Sequence, residues 1–277
     1  MTSREDVVGN QSRNEDGRRT WRTWVLAASA LVAVAAAYSI RRIPQDPAYH
    51  LFADDRTLLG IPNALNVLSN VAFAIVGVLG LQLLLRGGVE MRDRRERWPW
   101  LVFFAGVALT SVGSAWYHVA PSNDTLLWDR LPMAVGFMGL FVALITERID
   151  AGMGFRLLWP MVLVGVGGVF YWYFTERAGA GDLRPYLVVQ FYPLVAIPLV
   201  LVLFPRVYTL SWGFVGALAA YLLAKVAEIE DGRLLQLGSP VSGHTLKHLL
   251  AATGIGLLVW MLGRRRVLRE SHSPIRD

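Results

Sequence analysis

The sequence predicts an all-α, polytopic membrane protein. Three observations predict it. Apolar residues make up 54% of the 277 residues, they fall into long runs, and the charges gather between those runs. Each run approaches the roughly 20 residues that a helix needs to cross a bilayer. The runs are also too long and too continuously apolar for the alternating strands of a membrane barrel, the other structure that satisfies its backbone inside hydrocarbon.

Taken in order, residues 1–22 are polar and mixed in charge, and read as a disordered cytoplasmic tail. The first apolar segment, 23–40, contains "WVLAASALVAVAAAYSI" behind a set of arginines and reads as a transmembrane helix. Its end, "VAAAYS", resembles a small-residue cleavage site, so a cleaved signal peptide is the alternative. Seven further segments are expected at 61–85, 98–118, 126–147, 155–175, 186–204, 207–228 and 244–262. Gly60 and Pro62 open the second segment, and Trp98, Trp100, Trp116 and Trp128 read as interfacial anchors. The tail, 263–277, is basic and then polar, and is expected to be a disordered cytoplasmic extension. No internal repeat is evident.

The net charge of +6 is distributed unevenly among the loops. Arginines concentrate at Arg86, Arg92, Arg94, Arg95 and Arg97 and at Arg264, Arg265, Arg266 and Arg269, while the alternate loops scatter theirs among acids. The positive-inside rule therefore places both termini in the cytoplasm. Arginines split among separate loops argue against a nucleic-acid site. The chain has no cysteine, which excludes disulfides and thiolate metal sites and leaves His, Asp, Glu or Asn as metal ligands.

Polar residues inside spans are costly, so their placement is informative. Of five histidines, His50 falls in an outer loop and His272 in the tail. His118 ends the third segment, which runs outward; His244 begins the eighth, which runs inward. His248 lies one turn deeper than His244 on the same helix face. Three imidazoles from distant parts of the chain are thus expected at one membrane depth, near the non-cytoplasmic face. Ser114, one turn before His118, and Asp129, near the start of the fourth segment, join them.

Taken singly, each residue has a plainer reading: an interfacial histidine, a bis-histidine haem ligand, a small residue at a helix contact, or an Asp129–Arg130 ion pair. Taken together they indicate a metal centre. Three neutral imidazoles with an open position suit catalytic zinc, whereas iron or manganese more usually takes a carboxylate ligand. Zinc makes water acidic enough to attack at neutral pH. Asp129 would take the proton or orient the water, and Ser114 would donate to the oxyanion formed at a carbonyl. The reaction class is hydrolysis of an amide or ester, and a site within the bilayer argues for a lipid substrate. A receptor or regulator that keeps zinc for structure is the competing class.

Ser114-x-x-x-His118, Asp129 eleven residues on, and the late His244-x-x-x-His248 resemble the pattern of the alkaline ceramidases and of the superfamily they share with adiponectin-receptor-like and GPI-remodelling membrane proteins. "FADDRTLLGIPNALNVLSN", Phe52 to Asn70, is similar to that family's lead into its first core helix. The resemblance covers residues 50–262 and implies a seven-helix core with zinc on His118, His244 and His248. Ser114 and Asp129 would assist cleavage of a ceramide-like amide. The segment 23–40 is then one extra N-terminal helix. The family's calcium site is represented only by Asp54 and Asp55, with Arg56 beside them and Asn63 aligned with a glutamate, so calcium is possible but not favoured. "TLK" between His244 and His248 stands where the family has an aromatic pair. Glu228, Glu230 and Asp231 are expected as a solvated cluster rather than a headgroup site. Asn66, Ser69 and Asn70 are expected to hydrogen-bond between helices rather than reach the metal ligands.

Overall fold

The computed structural model describes residues 4–268, with side chains from residue 20; His272 and the rest of the tail lie outside the described residues. Eight helices are long and apolar enough to cross a membrane: Thr20–Ser39, Ala64–Leu85, Arg94–Val119, Asn123–Arg148, Ala151–Arg177, Arg184–Leu203, Trp212–Ile229 and Gly243–Arg264. They match the eight expected segments to within a few residues, and among the described residues no named strand forms. The largest shift is at the seventh segment. Residues 207–211 turn across the end of the bundle before the helix begins, with Leu210 at a φ of 59° and Tyr208 bridged to Val267.

In chain order the helices are α1 (Arg4–Ser39), α2 (Ala64–Leu68), α3 (Val71–Leu85), α4 (Arg97–Val119), α5 (Asn123–Arg148), α6 (Ala151–Arg177), α7 (Arg184–Leu203), α8 (Trp212–Ile229), the short α9 (Asp231–Gln236) and α10 (Gly243–Arg264). The helical path of α1 begins within the stretch expected to be an irregular tail. Its neighbour in the bundle is α7, and Leu26 is the one buried side chain among its described residues. The Ser29 hydroxyl and the Tyr192 hydroxyl meet there at 3.1 Å. The other spans close a ring in which α3 packs on α4, α4 on α5, α5 on α6 and α7, and α8 on α10, which returns to α3.

The closest seam is α4 on α5, and small residues make it possible. A Cβ added at Gly113 would lie 2.0 Å from the Trp128 carbonyl oxygen, and one at Gly139 2.7 Å from the Phe103 nitrogen. In hydrocarbon, where apolar surface gains nothing by leaving lipid, such backbone approach is how helices gain contact. The seam fixes the end of α4 against the start of α5, and with it His118 against Asp129.

At the opposite end of the bundle the described start of the basic tail, residues 263–268, packs back on the helices. Arg265 is buried, paired with Glu147 and 3.9 Å from Glu96, and its guanidinium lies 3.9 Å over the Tyr208 ring. Trp100, expected as an interfacial anchor, is instead fully buried and donates Nε1–H to Glu147 at 2.7 Å. Trp98, Trp116 and Trp128 stay about half exposed, as anchors would. The difference at Trp100 and Arg265 has one cause: the buried Glu147 carboxylate needs donors and takes both, while Glu96 beside it accepts from the Tyr208 hydroxyl.

Gly113→Ala is expected to force α4 from α5 and to destabilise the protein by roughly 1–3 kcal/mol, the usual cost of overpacking. Thermal unfolding in detergent, compared with an alanine substitution at the open Gly167, measures it.

Candidate metal centre and cavity

The last turn of α4 brings His118 to the end of the bundle where α10 begins with His244 and His248. Ser242 caps α10, accepting from the Thr245 backbone N–H, which starts the helix one residue before His244. Asp231 holds this start in place: its Oδ1 accepts from the His244 backbone N–H at 2.7 Å and its Oδ2 from that of Ala53 at 3.0 Å.

The three imidazole rings are mutually equidistant, with centroids 4.8 Å (His118–His244), 5.0 Å (His244–His248) and 5.1 Å (His118–His248) apart. One nitrogen from each lies within 4.8 Å of the other two, and all three residues are buried. Nδ1 of His118 and Nε2 of His244 are buried without a hydrogen-bond partner. Buried polar atoms normally find partners, so two unpartnered imidazole nitrogens in one cluster of histidines are what a cation-binding site leaves. The third ring is oriented. The Ser69 hydroxyl donates to the Asn66 carbonyl at 2.9 Å and sits 2.8 Å from His248 Nδ1. With its single proton committed, Ser69 accepts from Nδ1–H, which leaves the lone pair of His248 on Nε2. The donor set, three imidazoles and no thiolate, fits a borderline divalent metal.

Ser69 therefore does both things that the sequence left as alternatives: it bonds across helices, and its partner is one of the three histidines. The helix break between α2 and α3 sets it there. Ser69 and Asn70 direct their side chains at the Asn66 carbonyl, competing with the regular backbone pattern. Asn66, fully buried, accepts from Thr245 Oγ1 at 2.8 Å and so ties α2 to the first turn of α10.

The loop before α2 roofs the cluster. Phe52 packs against His118 at 4.6 Å and His244 at 4.8 Å, a contact that no spacing in the sequence announces. His50 straps the loop down, with Nδ1 3.0 Å from the Tyr117 hydroxyl and Nε2 3.0 Å from Asn123 Oδ1. Asn63, in a left-handed conformation, donates to the His118 carbonyl at 2.8 Å. Asp54 is buried and both its oxygens are taken by Arg56, at 2.7 Å each. That hydrogen-bonded guanidinium holds the Asp54 carboxyl below the usual carboxylate range.

Below the cluster opens a cavity of about 420 Å³. His248, Ser114 and Asp129 all line it, with Ser114 on α4 and Asp129 on the adjoining α5. Charged side chains gather at its mouth, and Phe103, Val107, Leu140, Ile197 and Leu258 make its depth apolar. Along α5 the lining runs from Asp129 to Leu140, about 16 Å at the helical rise per residue, close to one leaflet of hydrocarbon.

Two expectations are corrected at the cavity mouth. Glu228 is not solvated: it lines the cavity and is paired with Lys225 and, at 2.9 Å, with Lys247. Asp231 is occupied by the backbone bonds above. Arg130 does not serve Asp129 as a simple surface pair either. It is buried and stacks over Trp172 at 4.2 Å and Tyr186 at 4.8 Å, and donates to Gln45 Oε1 at 2.7 Å.

A protein-family model described as "Ceramidase" matches residues 60–264, which takes in every helix from α2 to α10. No curated protein matches the chain.

The Asp54–Arg56 pair anchors the roof, and its pH dependence follows from the direction of the shift. A carboxyl whose folded-state value is depressed contributes stability above its ordinary range, and that stability is lost as pH falls through the folded-state value. Asp54→Asn is therefore expected to lower the unfolding temperature at pH 7, with the gap to wild type narrowing below about pH 4. Melting curves of both proteins across pH 3–7 provide the measurement.

Proposed function

The chain belongs to the ceramidase family, and from that premise we propose that it is a zinc-dependent intramembrane hydrolase cleaving a ceramide-like lipid amide. The observation that carries this reading is the convergence of three buried imidazoles, one of which, His248, lines the cavity together with Ser114 and Asp129. His118, His244 and His248 would hold the metal. When bound, zinc supplies Lewis acidity toward water and toward the scissile carbonyl.

The chain's own residues divide the remaining work. Asp129 accepts a proton from the attacking water at a carboxylate oxygen and returns it to the departing amine nitrogen. Ser114, next to it, donates its hydroxyl proton as a hydrogen bond to the carbonyl oxygen as charge builds there. Phe52 closes the cluster from above and keeps bulk water from it. The apolar depth of the cavity takes the acyl chain. Access from the bilayer is easiest between α7 and α8, which touch least of the neighbouring helices, and Phe191 there is both exposed and part of the cavity wall. The loop charges support cytoplasmic termini and a histidine end facing the non-cytoplasmic side.

Elemental analysis of the purified protein is expected to find about one zinc per chain, lost in His118→Ala. A wild-type preparation with no zinc above background, when expressed and purified with zinc supplied, refutes the metal assignment. Ser114→Ala and Asp129→Ala are expected to retain zinc while losing lipid-amide hydrolysis, by roughly 10²–10³-fold and 10²–10⁴-fold. Hydrolysis is read as release of fatty acid from a ceramide in detergent micelles. If both variants match wild type while chelation unfolds the protein, the metal is structural and the hydrolase reading falls.

A further inference from the structure

The cavity carries more positive charge than a neutral ceramide requires. Three cations line it, Arg130, Lys225 and Lys247, against two enclosed carboxylates, Asp129 and Glu228. Asp46 also reaches the lining, but it is exposed, with its carboxylate accepting from the Ala48 backbone N–H, so water screens its charge. Lys225 and Lys247 share the single carboxylate of Glu228. Lys247 is also within electrostatic reach of Asp129. Arg130 and Lys247 are the most enclosed of these cations, in a low-dielectric site where a charge is costly, and a bound metal would add to their field.

Arg130 is built as a recognition group and not as a stray charge. Its guanidinium plane is fixed by the Trp172, Tyr186 and Tyr49 rings and by the Gln45 oxygen, yet Nη1 is buried and has no hydrogen-bond partner. A rigid guanidinium with an unused donor suits a planar oxyanion. Asp129, its chain neighbour, lies within electrostatic reach of it but forms no ion pair with it.

We propose that this cavity binds a lipid carboxylate, held by Arg130 and Lys247 at its polar end while the chain fills its apolar depth. That carboxylate has two possible sources, the headgroup of an N-acyl amino acid substrate or the fatty acid released by hydrolysis. The choice between them rests on the lipid-amide reading above; the carboxylate site itself does not.

The test is equilibrium binding to the full chain in nanodiscs, using palmitate, N-palmitoylglycine and the neutral N-palmitoylethanolamine. At least one carboxylate lipid is expected to bind about 10- to 100-fold tighter than the ethanolamide, the range for a hydrogen-bonded charge, and to lose that margin in Arg130→Gln and in Lys247→Gln. N-palmitoylglycine binding tighter than palmitate puts the carboxylate on the substrate headgroup; the reverse order puts it on the released acid. Equal affinities for all three lipids in the wild-type protein overturn the proposal without recourse to any variant, as does a carboxylate preference that survives both substitutions. Hydrolysis measured on the same preparations separates the two readings. Carboxylate-selective binding with no cleavage of any amide sinks the hydrolase and leaves the site. Cleavage with no carboxylate preference sinks the site and leaves the hydrolase.

Discussion

A buried polar atom in hydrocarbon must find a partner, and this structure is organised around three that find each other. His118, His244 and His248 are each buried, and their free nitrogens converge instead of dispersing along the helices. An imidazole alone in a span costs free energy; three that share a cation offset that cost together. The helices that carry them are constrained accordingly. The end of α4 must meet the start of α10, the break between α2 and α3 must present Ser69 to His248, and the roof must lay Phe52 over the rings.

The backbone contacts answer to the same constraint. Glycine along α4 lets α5 approach until carbonyl and Cα nearly touch, so that Asp129 and Ser114, on different helices, share one cavity wall. A carboxylate and a hydroxyl set by two rigid helices hold their spacing better than a pair carried on loops would.

Much of this was legible in the sequence because it depends on local properties. Span lengths follow from hydropathy, and the common depth of His118 with His244 follows from counting residues from span ends. The eight segments and the histidine cluster needed nothing more. What was not legible depends on partners far apart in the chain. Phe52 carries no mark that distinguishes it from any loop phenylalanine, and Ser69 could have bonded to several helices. Glu228 sits in a string of acids that looks solvated, yet it faces inward because Lys225 and Lys247 arrive from two helices to meet it. Trp100 looks like its neighbours Trp98 and Trp116, and only the position of Glu147 on α5 separates them. In each case the missing information was which way a helix faces, which packing decides and composition does not.

The Arg265 cluster, at the far pole from the histidines, gives the bundle a second anchor made of buried ion pairs and aromatic rings. The buried ion pairs and the histidine cluster thereby sit at opposite ends of the same helices. The mouth of the cavity is then free to exchange one charged or aromatic side chain for another, retuning what it admits, while the distant knot keeps the barrel of helices from splaying.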